Sequence, residues 1–492
     1  MACMPADDPL LISDMLASPL GENGQHVDYE GAGSSASDLE YALAELDKHA
    51  PFYREAQLYA QGRSPELFFL SDTARRDAIA MIDGFRFNFA GLVVATIADR
   101  ILLNGIDGIE GTGVDKIVFD ANELYSWFPE SIYDMLTDGD HYILTLPGDD
   151  AQEGDAGTPV LIPCSALDTR LFYDSEVERI PEMGIRRWAV GRGRETAVRA
   201  NLWYPDRVER FIRPPDGNWQ RHSADGLPDI EDSPFIPFAH MRTRMPYGRP
   251  IHADAYGPQD AIVKAIITLM ASTEFAGWAQ RYALHEESMI GQSGLPQAGS
   301  GRRVDGTDVS RRSAALRAGP GTVWDVYAKA VGHFPAADLS KLIETVEMAV
   351  KGMSQVTRIP MHYFDPLGAG SSGEARIAAD QPVKASAARQ RGNAGAAVRK
   401  STTQVGDYIG VRVDPEAVWA PDPVVSEKTW WETAAIKTAN GVPKRQILIE
   451  AGYTPEQIDE FEAENERNAP DIPAPGPTVP PADPNNPQEE ND

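Results

Sequence analysis

Apolar positions along the chain fall into blocks whose period changes twice. In DLEYALAELDKHAPFYREAQLYAQG, Leu39, Leu43 and Leu46 recur at helical spacing, which predicts an amphipathic helix. DTARRDAIAMIDGFRFNFAGLVVATIADRILLNG predicts a second, largely buried helix, with Asp72 as its N-cap and Gly105 as its stop. From about 107 to 240 the period shortens. DKIVFD, HYILTL, TPVLIP, RRWAVG and RVERFIR run apolar or alternate for a few residues between Gly, Pro and Asp breaks, and predict strands. One helix, ANELYSWFPESIYDMLTDG, interrupts them, so an α+β domain is expected before position 250.

The helical period then returns. From Pro258 to about His285 it predicts a helix roughly 40 Å long at 1.5 Å per residue. A Gly- and Arg-rich break follows, and AADLSKLIETVEMAVKGMSQVTRI predicts a second helix of similar length that stops at Pro360. IPMHYFDPLGAGSSGEARIAADQPVKASAARQRGNAGAAVRK comes next: a proline stop, a Gly/Ser loop, and a small-residue, net basic helix broken by Pro382. Beyond Gly410 the pattern gives a short strand and about three short helices. The first 38 residues read as a loose polar arm, and the segment from Asn468 onward as a Pro-rich acidic tail of polyproline character.

Charge sharpens this picture. Lys and Arg number 45 against 74 Asp and Glu, a net charge of -29, which excludes a generic nucleic-acid coat because gripping phosphates takes clustered cations. Any DNA partner has to be handled without being held tightly. Cys3 and Cys164 are too few for a disulfide framework or a four-thiolate metal site. The N-terminus lacks the basic start and apolar core of a signal peptide, and no apolar run reaches the length of a membrane span. The expectation is a soluble, unexported protein of two to four domains with no cofactor and no membrane partner.

Candidate chemistry is sparse. GAGSSG, residues 368–373, has the glycines of a phosphate cradle at a helix N-terminus but no Walker lysine, and a flexible surface loop capped by Ser371 or Ser372, with Glu374 in the first helical turn, is the preferred reading. In the following helix Arg376, Lys384, Arg389, Arg391, Arg399 and Lys400 outnumber Glu374 and Asp380. A second basic cluster, Arg302, Arg303, Arg311, Arg312 and Arg317, lies in the break between the paired helices, where it reads as a solvated hairpin or a docking surface. There is no HExxH and no GxSxG elbow, so no enzyme chemistry is indicated. Trp127, Trp188, Trp203, Trp219, Trp324, Trp430 and Trp431 are expected to anchor the core.

Taken in order, several segments resemble tailed-bacteriophage portal proteins of the SPP-one-like and actinobacteriophage group. They are FYREAQLYAQG; NFAGLVVATIADRILLNG, with Asp99, Arg100 and Ile101 at the family's turn; ELYSWFPESIYDMLTDGDHYILTL, with its Gly-Asp-x-Tyr strand; NLWYPDRVERF; IPFAHMRTRMPYGRPIHADAYGPQDAIVKAI; and SSGEARIAAD. They span roughly 40–460, and their order is more specific than any one of them. The chain departs from the pattern at Met361 to Phe364 and at Pro382.

The resemblance implies an α+β portal-type subunit in a closed ring of identical copies, usually twelve, at one capsid vertex. It implies an arm at 1–39, a wing at 40–257, stem helices at 258–285 and 336–359, and a clip at 286–335. A tunnel loop at 360–373 carries Tyr363, Phe364, Asp365, Pro366, Leu367, Gly368, Gly370 and Ser371; a long kinked wing helix at 374–410, a crown at 411–467 and the tail 468–492 follow. Arg376, Lys384, Arg389 and Arg391 are the expected basic residues of a DNA channel, and Arg302, Arg303, Arg311 and Arg312 the docking residues of the clip. The implied partners are further copies of the chain, double-stranded DNA in transit, the terminase large subunit, a head-to-tail adaptor or neck protein, and the major capsid protein with its scaffold. The small residues of the long helix are expected to seat a neighbouring subunit. Two alternatives stand beside this: a nucleotide- or phosphate-binding enzyme using the 368–373 loop, and another virion protein such as a capsid or neck subunit.

Overall fold

The computed structural model describes residues 34–64, 87–148, 157–177, 179–191, 193, 196–223, 228–277, 281–284, 301–302, 308–309, 330–333, 339–365, 373–420, 427–451, 453 and 455–468. The fold is α+β and divides into two compact units, 1–420 and 421–492.

The first unit opens with α1 (Ser34–Ala60). Its buried stripe Leu39, Ala42, Leu43, Leu46, Ala50, Tyr53, Ala56, Tyr59 keeps helical spacing over the whole length. Successive parts of that stripe enter three different cores, so α1 is a strut that fixes the layers relative to one another. Next come α2 (Phe89–Ala98), β1 (Leu103–Asp107) and α3 (Leu124–Asp138). The expected continuation of α2 to Gly105 is not found: the helix ends at Asp99, and Gly105 sits in β1. Asp72 lies outside the described residues. DKIVFD is not a strand either. It forms a helical turn and a π-turn, because Val114 and Val118, four apart, are both buried and β1 takes its ladder partner from elsewhere.

β2 (Asp140–Leu146) and β3 (Val160–Ser165) follow, and β2 is the central strand of an antiparallel sheet whose other edge is β10 (Phe238–Arg242). Between β3 and β10 the chain builds a second antiparallel sheet from β4 (Thr169–Tyr173), β5 (Pro181–Val190), β6 (Ala197–Trp203), β7 (Arg207–Arg213) and the short strands β8 (Gln220–Arg221) and β9 (Ile230–Asp232). Trp203 and Trp219 are buried, as expected of core anchors.

The paired helices are α4 (Tyr256–Gly277) and α5 (Leu339–Thr357). They pack on each other through Ile262, Val350 and Met353 and meet Tyr59 and Ala90 of the preceding elements. α4 is shorter than its sequence pattern: Arg281–Leu284 is a strand, β11, paired antiparallel with β14 (Ala330–His333). Its partner lies some 50 residues away, so local periodicity cannot report it. β12 (Gly301–Arg302) and β13 (Asp308–Val309) form a second small ribbon within the insertion.

After α5 come α6 (Met361–Phe364), α7 (Gly373–Ala379) and α8 (Gln381–Tyr408). Pro382 falls in the first turn of α8, where a proline costs no hydrogen bond; the break it makes is a helix start. α8 lies against β10, β2 and α2 with Ala387, Ala394, Ala397 and Val398 buried. Gly395 faces Trp419 and Ala417 of β15 (Glu416–Trp419), which pairs with β1. These small residues therefore seat the chain's own strands. A further set, Ala385, Ala388, Gly392 and Ala396, lies exposed on the outer face.

The second unit holds α9 (Glu427–Ala439), α10 (Lys444–Glu450) and α11 (Pro455–Asn468). It buries Ala434, Ile447 and Ile458 and leaves Trp431, Ile436 and Phe461 exposed. Trp431 is thus not a core anchor: three short helices offer too little interior to cover it.

Candidate functional site

Just past the C-cap of α2, Asp99, comes Arg100, whose guanidinium is buried. Its Nη1 donates to the Thr96 carbonyl at 2.7 Å, satisfying an acceptor at the helix end, while its own carbonyl accepts from Arg391 Nε at 2.9 Å. The other amine, Nη2, donates to the Tyr363 hydroxyl of α6. Tyr363 in turn donates to Asp380 Oδ2 at 3.2 Å, at the junction of α7 and α8. Asp380 also lies 3.9 Å from Arg100 Nη2 and 3.2 Å from His362 Nε2. Burial, ahead of the charges around it, pushes the Tyr363 phenol up, so it keeps the proton it donates. The result is an Arg–Tyr–Asp chain of donors and acceptors in which each link polarises the next. It ties both flanks of the Gly/Ser segment, residues 363 and 380, to one fixed helix end.

Of the residues singled out by sequence, Tyr363 belongs to this anchor. Phe364 packs in the core with its ring 5.9 Å from that of Phe89, and Asp365 closes α6 in an exposed position. Pro366, Leu367, Gly368, Gly370 and Ser371 lie outside the described residues. Arg376 and Arg389 are exposed, while Lys384 and Arg391 are half-buried. Arg391 holds the end of α2. Lys384 and Arg391, seven apart, share one side of α8, and Arg389 points about 200° away from Arg391 at 100° per residue. The four are not brought onto one face. Arg302 falls in β12; Arg303, Arg311, Arg312 and Trp324 lie outside the described residues.

A second polar cluster has the look of a proton relay. Tyr173 Oη is 2.6 Å from His240 Nδ1, and His240 Nε2 is 2.8 Å from Asp140 Oδ1. Asp140 also accepts from Tyr53 Oη at 3.0 Å and from the Gly248 amide at 2.7 Å. Burial alone would raise the Asp140 carboxyl, but the contacts with His240, Gly248 and Tyr53 hold it below its usual value; burial lowers His240, which fits a neutral ring donating from Nε2 and accepting at Nδ1. The cluster braces α1, β2, β4 and β10 from the interior. The cavity along α8, about 520 Å³, includes none of these residues. Among the described residues no group of three His, Cys, Asp or Glu is placed to hold a metal ion, and no helix is long and apolar enough to cross a membrane.

Sequence reasoning did not assign roles to Asp380, His362 or His240. It did single out Asp99–Arg100–Ile101 and the Gly139–Asp140 step as points of resemblance, and both prove to be hubs of buried polar contacts. The available signal was charge inside apolar runs: Arg100 between Ile97 and Ile101, and Asp140 as the first residue of an almost wholly buried strand.

No family model and no curated protein matches the chain. Among solved structures it is similar to a chain of the virion of a native gene transfer agent particle (TM-score 0.42, 14% identity, 82% of this chain and 99% of that one). It is also similar to a chain of the neck of the native particle computed with C12 symmetry (0.41, 14%, 82% and 99%) and to one of the neck of an empty particle computed with C6 symmetry (0.36, 13%, 88% and 97%). At these scores the likeness is too distant to carry a function across.

Proposed function

We propose that the chain is a portal subunit of a phage-type particle, a non-enzymatic structural protein that assembles into a closed ring around a channel for double-stranded DNA. In this reading it docks the terminase on one side of the capsid vertex and neck proteins later. The observation that carries the proposal is the order of elements around the anchor. Two packed helices enter and leave an insertion rooted on an antiparallel ribbon. They are followed at once by a segment whose two flanks are tied to the end of α2, and then by a 28-residue helix laid across the sheet. Paired helices leading into an insertion, a segment anchored at both flanks and a long supporting helix are what a channel lining requires.

The charge balance agrees. A chain of net charge -29 repels a duplex in transit, and a few exposed cations such as Arg376 and Arg389, repeated by symmetry, centre it without gripping. Arg391 is left out of that set because its guanidinium holds the Arg100 carbonyl. The exposed small-residue stripe of α8 offers a close approach to a neighbouring copy. Twelve copies of a 53.7 kDa chain have a mass of about 640 kDa. Mass photometry and negative-stain images of the purified protein are expected to show rings of that order; monomers and dimers at every concentration would refute the proposal.

A further inference from the structure

The cavity along α8 is an open groove. One wall is a single face of the helix, with Ala396, Arg399, Lys400 and Thr403 on successive turns; the other is built from Pro181, Pro205, Pro234 and Phe235. Arg399 is engaged, its Nε donating to the Pro415 carbonyl at 2.9 Å. Lys400 differs: it is half-buried, and among the described residues its ammonium has no hydrogen-bond or ion-pair partner. Burial, assisted by Arg242, holds its pKa down to about 8. Asp407 lies on the same face but two turns away, too far to neutralise it. A desolvated cation beside pyrrolidine and aromatic rings is a seat for a carboxylate carried on an apolar, extended peptide.

We propose that this groove is the docking site of the chain's own segment 1–33, with one of its carboxylates seated on the Lys400 ammonium. Charge complementarity favours that occupant. The segment contains no Lys or Arg and six carboxylates, Asp7, Asp8, Asp14, Glu22, Asp28 and Glu30, interspersed with prolines and with Leu10, Leu11 and Ile12. Its point of departure favours it too. α1 begins at Ser34, and one turn later Asp38 Oδ2 accepts from the Tyr204 hydroxyl at 2.9 Å. The next residue, Pro205, forms part of the groove wall. The segment therefore leaves the described structure a helical turn from a residue tied to Tyr204, the neighbour of that wall, and 33 residues at about 3.3 Å each give ample reach. This inference does not depend on the portal reading.

The test uses the full chain and a variant in which the six carboxylates become amides (Asp7, Asp8, Asp14 and Asp28→Asn, Glu22 and Glu30→Gln). Carbodiimide treatment of the native chain is expected to link Lys400 to a carboxylate within 1–33, and Lys400→Met to lose that link. Site-resolved acetylation at pH 8 is expected to be about fivefold faster at Lys400 in the amide variant. A pair that lifts the amine from about 8 to about 9 cuts its free-base fraction at that pH from a half to about a tenth. Equal acetylation in both chains, or linkage of Lys400 only to carboxylates outside 1–33, would overturn the proposal.

Discussion

Replacing Asp380 by Asn removes one charge from the anchor while leaving an oxygen that still accepts from Tyr363. Asp380 and Arg100 are both buried, and breaking a buried pair by deleting one partner costs about 3–5 kcal/mol when nothing else holds the remaining charge. Here Arg100 keeps its bonds to Thr96 and Tyr363, and the separation of 3.9 Å from Asp380 is long. The expected cost is about 2 kcal/mol, borne locally where α6 and the start of α8 meet α2. Because the chain has two units, a global unfolding midpoint would blur this. Native-state hydrogen exchange resolves it: amides of 361–364 and 381–391 are expected to exchange about 30-fold faster, while those of β5 and β6 do not change. Pairing Asp380→Asn with Arg100→Met is expected to cost less than the sum of the two changes, since the double variant strands no buried charge. A rise of less than twofold, or one spread evenly over the chain, would mean that the anchor holds nothing in place.

Two other buried positions make sharp predictions. Asp138 closes α3 fully buried, with Oδ2 accepting from Gln57 and Oδ1 unpartnered, and burial followed by the neighbouring Asp134 raises its carboxyl well above the usual range. A raised carboxyl stabilises the fold below its unfolded pKa and loses that contribution as pH rises toward the folded value. Asp138→Asn is therefore expected to be more stable than the native chain at pH 7, with the advantage shrinking by up to about 1.4 kcal/mol per unit as pH falls toward the unfolded value; a gap that is flat with pH in paired urea titrations would contradict this. Gly248 is a matter of space: a Cβ there would sit 1.8 Å from the Gly139 carbonyl oxygen, a backbone atom that cannot step aside. Gly248→Ala is expected to cost more than about 3 kcal/mol and to abolish soluble expression, and near-native thermal stability would show that the 139–248 approach can relax.

The sequence made the layers visible and hid the joints. Helices α1, α3, α5 and the final three were legible because each carries a stripe at helical spacing or an evident stop, such as Gly139 after α3 with its φ of 94°. The central strands β2, β5 and β7 were legible as apolar or alternating runs. What could not be read was any feature set by a distant partner. β11 resembled the tail of a helix because its pairing with β14 is invisible locally, and DKIVFD resembled a strand because a π-turn also places apolar residues close together. The anchor failed for the same reason. Arg100, Tyr363 and Asp380 are separated by up to 280 residues and belong to three different helix ends. Pro382 marked the joint without saying which carboxylate sat beside it.

That joint lies where two hydrophobic cores meet. Phe364 packs against both the core of the paired helices and the core under α8, and the anchor sits one residue away at Tyr363. α6 is a single turn with no buried residue of its own stripe, so it cannot absorb a displacement of α4 and α5 relative to α8. Such a displacement would have to pull Phe364 out of one core or separate Tyr363 from Arg100 and Asp380. Packed interiors resist gradual deformation, and the buried polar chain adds a directional constraint to that packing. A force applied to the paired helices is consequently passed to α8 and the end of α2 and not dissipated in the connecting turn. In the proposed portal reading, the Arg100–Tyr363–Asp380 chain would keep the base of the segment fixed while load crosses from the paired helices to the sheet.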